Sequence, residues 1–198
     1  MTDLRLHEAA AGGDLGAIAS LLAGGLPIDA RDPDGRTPLM RAVRARQTAA
    51  VRALLEQGAD VDLRDDRLDN PFLYAGAEGL LDILRLANEA GADPALTNRY
   101  GGVALIPACE RGHVEVVRYL LEESDVDVDH VNNLGWTGLL EAIILSDGDA
   151  AHQEIVRLLL DNGADPELAD RDGVTPLAHA RARGQAEIAA LLEAATRD

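Results

Sequence analysis

The stretch of sequence that decides the fold is DPDGRTPLMRAVRARQTAAVRALLEQGAD, residues 32–60. It begins with a polar turn, continues with a short Ala-rich run, and ends in a longer apolar run closed by Gly58. Thr37 can cap a helix whose first residue is Pro38, because proline has no N–H to leave unpaired there. Gly58 can adopt the left-handed conformation that ends a second helix. The stretch therefore predicts a turn followed by two short helices.

The same pattern recurs along the 198 residues of the chain. Gly-Ala-Asp occurs at residues 58–60, 91–93 and 163–165, at separations of 33 and 72 residues. A second marker, the glycine of the polar turn, has intervals of 66, 34 and 38 residues and is found at Gly35, Gly101, Gly135 and Gly173. The last two intervals again span 72 residues, so two independent markers share one register. Such repetition predicts an array of stacked helix pairs.

The repeat resembles the ankyrin repeat family, whose unit of about 33 residues is a β-turn plus two antiparallel helices with a Thr-Pro-Leu-His-x-Ala signature. The segment GHVEVVRYLL, residues 112–121, is similar to the second-helix pattern of that family almost residue for residue. The resemblance covers nearly the whole chain. It implies an all-α solenoid, an ankyrin repeat array of about six helix-turn-helix units joined by β-hairpin loops. Tetratricopeptide arrays have a similar period, but they lack the Gly-Ala-Asp hairpin and carry more aromatic residues.

We expect a single ankyrin repeat domain over residues 1–198. Its predicted parts are an N-terminal capping repeat, four internal repeats and a C-terminal capping repeat, with boundaries at 1–31, 32–64, 65–97, 98–131, 132–169 and 170–198. All 18 basic residues are arginine. This usage, and the absence of an appended domain, resemble a bacterial standalone ankyrin protein.

The sequence departs from the family pattern at five places, and several of these predict a local difference in structure. Leu68 stands where the other turns have glycine, and a bulky side chain disfavours positive φ, so we expect this turn to be remodelled. Val103-Ala104 replaces Thr-Pro and lacks a capping oxygen. The signature histidine remains only as His7. The fourth unit has about one extra residue near Ser124-Asp125, and the alternation of residues 126–129 that follows predicts a hairpin strand with its acids facing water. Residues 146–153 insert about four residues relative to the family unit.

Charge limits the classes of partner. The 35 acidic and 18 basic residues give a net charge of -17, which repels phosphate backbones and anionic lipids. We therefore expect no nucleic acid or membrane partner, whereas a basic protein would be steered toward the surface. No signal peptide or membrane-length apolar run is found, and the one cysteine cannot form an intramolecular disulfide. We expect a cytoplasmic monomer.

Chemistry-bearing motifs are sparse. The chain has no Gly-x-Ser-x-Gly elbow and no phosphate-binding glycine loop, so we expect no enzyme, no catalytic residue, no cofactor and no metal. Two weaker alternatives are metal sites at Asp147, Asp149 and His152 or at Asp125, Asp127 and Asp129. Cys109 occupies a small first-helix position and is predicted to fill the core.

The family resemblance implies that partners are recognised by the turn tips and the exposed ends of the first helices. Interfaces concentrate binding energy in Trp, Tyr and Arg. The candidate partner-binding residues are Arg36, Arg67, Tyr74, Arg99, Tyr100, Arg111, Leu134, Trp136 and Arg171. Two alternatives are that the aromatic rings of Tyr100 and Trp136 only pack along the adjacent hairpin, and that neighbouring aspartates pair with the arginines.

Three functions are compatible with these features. The leading hypothesis is a non-enzymatic protein–protein interaction module that binds a protein partner through its hairpin tips and concave first-helix surface. The alternative is a stoichiometric inhibitor or immunity-type protein that masks a basic toxin or enzyme, whose association rate would fall steeply with added salt. The third is a structural link in a larger assembly, which would self-associate.

Overall fold

Helix pairs account for almost all regular structure in the computed structural model, which describes residues 3–197. The chain divides after Arg99 into two compact units, close to the predicted repeat boundary at residues 97 and 98. Unit 1 contains α1 (Arg5–Gly12), α2 (Leu15–Ala23), α3 (Pro38–Arg44), α4 (Thr48–Glu56), α5 (Pro71–Ala77) and α6 (Leu81–Glu89). Unit 2 contains α7 (Leu105–Glu110), α8 (Val114–Glu123), α9 (Gly138–Ile144), α10 (Ala150–Asp161), α11 (Pro176–Ala182) and α12 (Ala186–Ala195).

The pairing of these helices confirms the predicted fold class. Each predicted repeat holds one pair, and no β-strand is assigned between residues 3 and 197. Within unit 1, α1, α3 and α5 pack side by side as one layer, and α2, α4 and α6 form the other. Unit 2 repeats the arrangement, with α7, α9 and α11 in one layer and α8, α10 and α12 in the other. Each helix buries its apolar face against its neighbours, as in other repeat arrays.

Side-chain caps start most of the first helices. In α3 the Thr37 hydroxyl accepts a hydrogen bond from the N–H of Met40 at 3.1 Å, and Pro38 is the first helical residue. Four first helices begin with such a bond, at Thr37, Asn70, Thr137 and Thr175. The fourth repeat lacks it, because Ala104 has no oxygen to offer, and α7 is only six residues long. The missing cap at Val103-Ala104 is therefore confirmed.

Glycines end the second helices at the predicted positions. Gly58, Gly91 and Gly163 have φ values of +87°, +85° and +88°. These angles lie in the left-handed region that glycine enters without a Cβ penalty. The chain can therefore turn directly from each second helix into the next connection, as predicted.

Leu68 corrects an expectation. Its φ is +62°, and its N–H donates to the carbonyl of Asp65 at 2.9 Å, as the N–H of Gly35 donates to Asp32 at 2.9 Å. The turn is therefore not remodelled, and a leucine takes the conformation that glycine takes elsewhere. A non-glycine residue in this region costs about 1–2 kcal/mol.

The predicted strand at residues 126–129 is wrong. The Asp127 carboxylate accepts a hydrogen bond from the N–H of Asp129 at 3.1 Å, and the Asp127 carbonyl accepts one from His130 at 3.2 Å. These local bonds close the segment into a turn, which competes with an extended strand.

The inserted segment at residues 146–153 is held by many hydrogen bonds. The Ser146 hydroxyl donates to the carbonyl of Ala142 at 2.5 Å, and the Gln153 amide donates to the carbonyl of Gly148 at 2.8 Å. The buried amide of Gln185 donates to the carbonyl of Ser146 at 3.0 Å. Residues 146–149 therefore form an ordered connection between α9 and α10, and residues 150–153 are the first residues of α10.

Candidate functional site

One aspartate or asparagine organises each of four turns that precede a first helix. In the turn at residues 32–36, the Oδ1 of Asp32 accepts hydrogen bonds from the N–H groups of Asp34 and Arg36, both at 2.9 Å. Three other side chains accept in the same way from the residues two and four positions later: Asp65, Asn132 and Asp170. The N–H of Asp32 also donates to the carbonyl of Arg36 at 2.9 Å, which closes the turn. The exposed residues of these four turns are therefore supported by hydrogen bonds within the turn.

Neighbouring turns are joined by backbone hydrogen bonds. In unit 1 the N–H of Asp66 donates to the carbonyl of Asp34 at 3.1 Å, and in unit 2 the N–H of Asn133 donates to the carbonyl of Tyr100 at 2.9 Å. A Cβ at Gly101 would lie 2.5 Å from the Oδ1 of Asn133, so a larger residue there would require the Asn133 side chain to move. Each of these backbone hydrogen bonds fixes the spacing between two turns.

In unit 2 the turns present the predicted aromatic surface. We name Tyr100, Leu134, Trp136 and Arg171 the aromatic tip patch. Tyr100 is 57% exposed and Leu134 is 54% exposed, whereas Trp136 is half-buried. The Arg171 side chain lies over Gly135, one residue after Leu134. The structure therefore brings these four predicted residues onto neighbouring turns.

Arg36, another predicted partner-binding residue, is occupied within unit 1. Its guanidinium lies 2.7 Å from the carboxylate of Asp34 and 3.5 Å from that of Asp65, and its side chain is only 15% exposed. Beside it, the Arg31 guanidinium donates to the carbonyls of Gly35 at 3.1 Å and Arg64 at 2.7 Å. Arg36 and Arg31 therefore hold turns together, as the paired-arginine alternative expects.

The remaining predicted residues lie at turn tips or on first helices. Arg67 and Arg99 are exposed, and Tyr74 is half-buried on α5 under the guanidinium of Arg44, 4.6 Å from the ring centroid. Arg111 is exposed directly after α7.

Three of the turns also contact the first helix that follows them. The Asp32 carboxylate lies 3.4 Å from the guanidinium of Arg41, and the Asp170 carboxylate lies 2.7 Å from the Nε2 of His179. In the fifth repeat the polarity is reversed, because Asn132 donates from Nδ2 to the carboxylate of Glu141 at 2.7 Å. The turn residue and the helix residue therefore form matched donor–acceptor pairs in three repeats.

Glu141 is an acidic residue in a nearly closed environment. It is 6% exposed and lies on α9. Burial, and then the charge of Glu110, raise the pKa of Glu141 from 4.5 to about 7, although the hydrogen bond from Asn132 opposes this shift. Cys109 is also fully buried, and burial followed by the charge of Glu141 raises the pKa of its thiol. The predicted core position of Cys109 is confirmed, and its thiol is kept in the unreactive protonated form.

The replacement Glu141→Gln is expected to remove a pH dependence of stability. In the wild type, folding favours the protonated carboxyl of Glu141. The resulting contribution to the free energy of unfolding is complete below about pH 4.5 and is lost as the pH rises through about 7. One pKa unit corresponds to about 1.4 kcal/mol, so the shift from 4.5 to about 7 limits this loss of stability to roughly 3 kcal/mol. Glutamine keeps an acceptor for Asn132. Urea denaturation should therefore find the variant more stable than the wild type at about pH 8 and similar at about pH 4.5. An equal difference at both pH values would contradict the titration of Glu141.

Histidines and aspartates elsewhere have structural partners. The Nδ1 of His152 lies 2.8 Å from the Asp149 carboxylate, and its Nε2 donates to the carbonyl of Glu110 at 3.1 Å. In the part of the chain that the structure describes, no three His, Cys, Asp or Glu side chains are grouped as metal ligands would be. The ring nitrogens of His152 are therefore used to attach the start of α10 to the end of α7.

Further aspartates connect successive repeats. The N–H of Asp93 donates to the carboxylate of Asp62 at 3.0 Å in unit 1, and the N–H of Asp165 donates to that of Asp129 at 3.1 Å in unit 2. Many of the acids that make the chain negative are thus acceptors for backbone N–H groups. Among residues 3–197, no helix has the length and apolar character required to cross a membrane.

Comparison with known proteins agrees with this architecture. The family described as ankyrin repeats (3 copies) matches residues 6–98 and 72–170. The ankyrin repeat protein YahD of Escherichia coli (strain K12) is 44% identical over 187 residues, which cover 94% of this chain and 93% of that protein.

Solved structures give the same result. The structure of an ankyrin repeat domain from Acinetobacter baumannii AYE is 56% identical, has a TM-score of 0.95 and is covered, like this chain, over 98% of its length. The ankyrin repeat domain of Bcl-3, a member of the IkappaB protein family, is 27% identical with a TM-score of 0.88, over 98% of this chain and 86% of that domain. Ankyrin repeats are in general non-enzymatic protein–protein interaction modules. The helix pairs, the bonded turns and these similarities lead to one conclusion: the chain belongs to the ankyrin repeat family.

Proposed function

We propose that the chain binds a protein partner through the aromatic tip patch of unit 2. The observation that carries this proposal is the exposure of Tyr100 and Leu134, at 57% and 54%, on two turns that a backbone hydrogen bond joins. Large apolar side chains on a fixed base lose little conformational freedom when a partner covers them. The surface therefore already has a defined conformation in the free protein.

The packing alternative explains only part of the aromatic tip patch. Trp136 is half-buried, and its N–H and carbonyl close the turn by bonding to Asn132 at 3.1 Å and 3.0 Å. Tyr100 and Leu134 keep more than half of their surface exposed. We infer that Trp136 supports the turn while Tyr100 and Leu134 supply the contact area.

The negative charge of unit 2 favours a partner that has basic residues around its contact surface. Unit 2 carries 7 arginines and 19 acidic residues, a net charge of -12, against 11 arginines and 16 acidic residues in unit 1, a net charge of -5. Opposite charge around an apolar centre speeds association and excludes acidic competitors. The same imbalance supports a second candidate function, the masking of a basic toxin or enzyme. We further propose a cytoplasmic role in a bacterium, supported by the similarity to proteins of E. coli and A. baumannii.

The double replacement Tyr100→Ser/Leu134→Ser is expected to weaken partner binding by about thirtyfold or more, because truncating even one interface hot spot costs about 2 kcal/mol, and 1.4 kcal/mol corresponds to about tenfold in affinity. Wild type and variant would be used to capture partners from a bacterial lysate, and the retained protein would then be titrated by calorimetry. Leu15→Ser is the matched control, since Leu15 is a 46% exposed leucine on α2.

The outcomes separate the candidate functions. Equal capture by wild type and double variant would place the binding surface elsewhere. An association rate that falls about tenfold or more between low and high salt would favour masking of a basic protein, whereas a nearly constant rate would favour an apolar adaptor surface. Concentration-dependent self-association of the wild type would instead favour a structural link.

A further inference from the structure

The first-helix residue that bonds to the turn carries an unbalanced charge in the fifth repeat. In the second repeat this residue is Arg41, which meets the opposite charge of Asp32, and in the last repeat a histidine meets an aspartate. In the fifth repeat the turn residue is the neutral Asn132, so the carboxylate of Glu141 meets an amide. The turn therefore satisfies a hydrogen bond of Glu141 but does not neutralise its charge.

No cation elsewhere in the described chain replaces the missing one. Glu141 forms no ion pair within residues 3–197, and burial, followed by the charge of Glu110, raises its pKa to about 7. A buried charge without an opposite charge beside it is unfavourable for folding. Glutamine at this position could accept the same hydrogen bond from Asn132 without a charge. Unbalanced titratable groups of this kind are found most often at functional sites.

The Glu141 carboxylate lies directly beneath the aromatic tip patch. The Nδ2 of Asn132 donates to the Oε1 of Glu141 at 2.7 Å. The Oδ1 of the same side chain accepts from the N–H groups of Leu134 and Trp136 at 2.9 Å and 3.1 Å. One side chain therefore connects the carboxylate to two residues of the patch.

One oxygen of this carboxylate is open to a further donor. In the part of the chain that the structure describes, only Asn132 donates to Glu141, and it bonds to Oε1. The fully buried side-chain atoms that lack a hydrogen-bond partner among residues 3–197 do not include the Oε2 of Glu141. Oε2 therefore keeps contact with solvent, although Glu141 as a whole is only 6% exposed.

We propose that Glu141 is a specificity-determining residue of the aromatic tip patch, and that its Oε2 accepts a hydrogen bond from an arginine guanidinium that stands beside an apolar residue in the partner. The inference rests on the proposed function, because the apolar residue of the partner would contact Leu134. A charge-assisted bond of this kind is stronger than a neutral one. Arginine suits the site better than lysine, because a guanidinium is more weakly hydrated and loses water more easily.

A metal ion fits this position less well. Hard cations such as Ca²⁺ take six or more oxygen ligands. No three His, Cys, Asp or Glu side chains are grouped as metal ligands would be within residues 3–197. One open carboxylate oxygen is sufficient for a guanidinium, which brings its own fixed geometry.

The titratable groups around Glu141 determine what a pH experiment measures. Helix α9 packs against α7, α10 and α11. From α7, the charge of Glu110 acts on Glu141, and Glu141 in turn acts on the thiol of Cys109. His152 on α10 and His179 on α11 are held by aspartates. The arginines of α10 and α11 are paired with glutamates, Arg157 with Glu154 and Arg181 with Glu193. The titration of Glu141 must therefore be resolved mainly from that of Glu110.

The test is a titration of the full chain at about pH 8 with two capped peptides, followed by amide NMR. The first peptide alternates arginine and leucine. The second alternates citrulline and leucine, because citrulline has nearly the shape of arginine without its charge. We expect saturable shifts at residues 134, 136 and 141 with the arginine peptide, and about tenfold weaker binding of the citrulline peptide, as expected for loss of a charge-assisted hydrogen bond.

One variant and one matched control make the test specific to Glu141. Glu141→Gln should weaken binding of the arginine peptide about tenfold and abolish its advantage over the citrulline peptide. Glu187→Gln makes the same change of charge at an exposed glutamate on α12 and should leave binding nearly unchanged. Equal weakening by the two replacements would indicate general attraction to an acidic surface and would overturn the proposal. Equal binding of the two peptides by the wild type would also overturn it.

A carbon-13 NMR titration of the Glu141 carboxyl gives a readout that a purely structural role would not change. A ligand that prefers the ionised carboxylate must lower its pKa, so the value of about 7 should fall when the arginine peptide is bound. An unchanged pKa would contradict the proposal. If Tyr100→Ser/Leu134→Ser weakens peptide binding and Glu141→Gln does not, the inference fails while the proposed function stands. If neither variant weakens it, both fail for this class of partner.

Discussion

Phe72→Ala is expected to lower the free energy of unfolding by about 4 kcal/mol. Phe72 is the only phenylalanine in the sequence, lies near the start of α5 and is 1% exposed. Its removal loses the transfer free energy of the ring and leaves a cavity, because helices held by neighbouring repeats cannot close over it. Urea denaturation followed by circular dichroism at 222 nm, the helix band, would measure the difference between variant and wild type.

Tyr100→Ala is the control for this prediction. It also truncates an aromatic residue, but at a position that is 57% exposed, so the free energy of unfolding should change by no more than about 0.5 kcal/mol. A loss below about 1 kcal/mol for Phe72→Ala would mean that the site collapses without a cavity and would contradict the close packing of α5. The comparison thus separates burial from ring size.

The features of the fold that sequence predicted correctly are local. Thr37-Pro38 and Gly58 specify a helix start and a helix end through bonds and dihedral angles within a few residues, and their spacing repeats. Periodic local signals of this kind fix the number of helix pairs. The wrong expectation at residues 126–129 arose because two local rules compete there. The Asp127 carboxylate accepts a hydrogen bond from the N–H of Asp129, and this local bond prevails over the alternation that favours a strand.

Leu68 shows a different reason for error. The steric rule against positive φ is correct as an energy, but the turn is imposed by Asp65, whose carboxylate accepts from the N–H groups of Arg67 and Asp69 at 2.9 Å and 3.1 Å. Several bonds of the turn outweigh one unfavourable dihedral angle. A residue that breaks the glycine pattern therefore indicates local backbone strain.

The candidate surfaces were only partly visible in the sequence. The register placed Tyr100 and Leu134 on neighbouring turns, and the structure leaves both exposed. The register could not show that Arg36 is paired with Asp34, or that Arg44 stacks on Tyr74, since these contacts depend on side-chain conformations between elements. Which arginines remain available is therefore a property of the folded chain.

Asn132→Asp is the second large effect that we expect. At about pH 8 it should lower the free energy of unfolding by roughly 3 kcal/mol, because two carboxylates would then face each other where Asn132 now donates to Glu141 at 2.7 Å. The Oδ1 acceptor for the N–H groups of Leu134 and Trp136 is kept, so the turn itself retains its bonds. At about pH 5 one of the two carboxyls can hold a proton and donate it, and the loss should shrink to about 1 kcal/mol.

The last repeat contains a residue pair that shows how the effect of Asn132→Asp can be compensated. In the last repeat an aspartate at the same place in the turn, Asp170, lies 2.7 Å from the Nε2 of His179. The double replacement Asn132→Asp/Glu141→His copies that pair and should restore at least about half of the loss at pH 7, measured by urea denaturation as a double-mutant cycle. If the two replacements instead add without coupling, turn and helix residues are not matched pairs. Coupling would show that each repeat selects the residue on its first helix by the hydrogen-bonding capacity of its turn, so that the turn carrying Leu134 and the helix carrying Glu141 constrain one another.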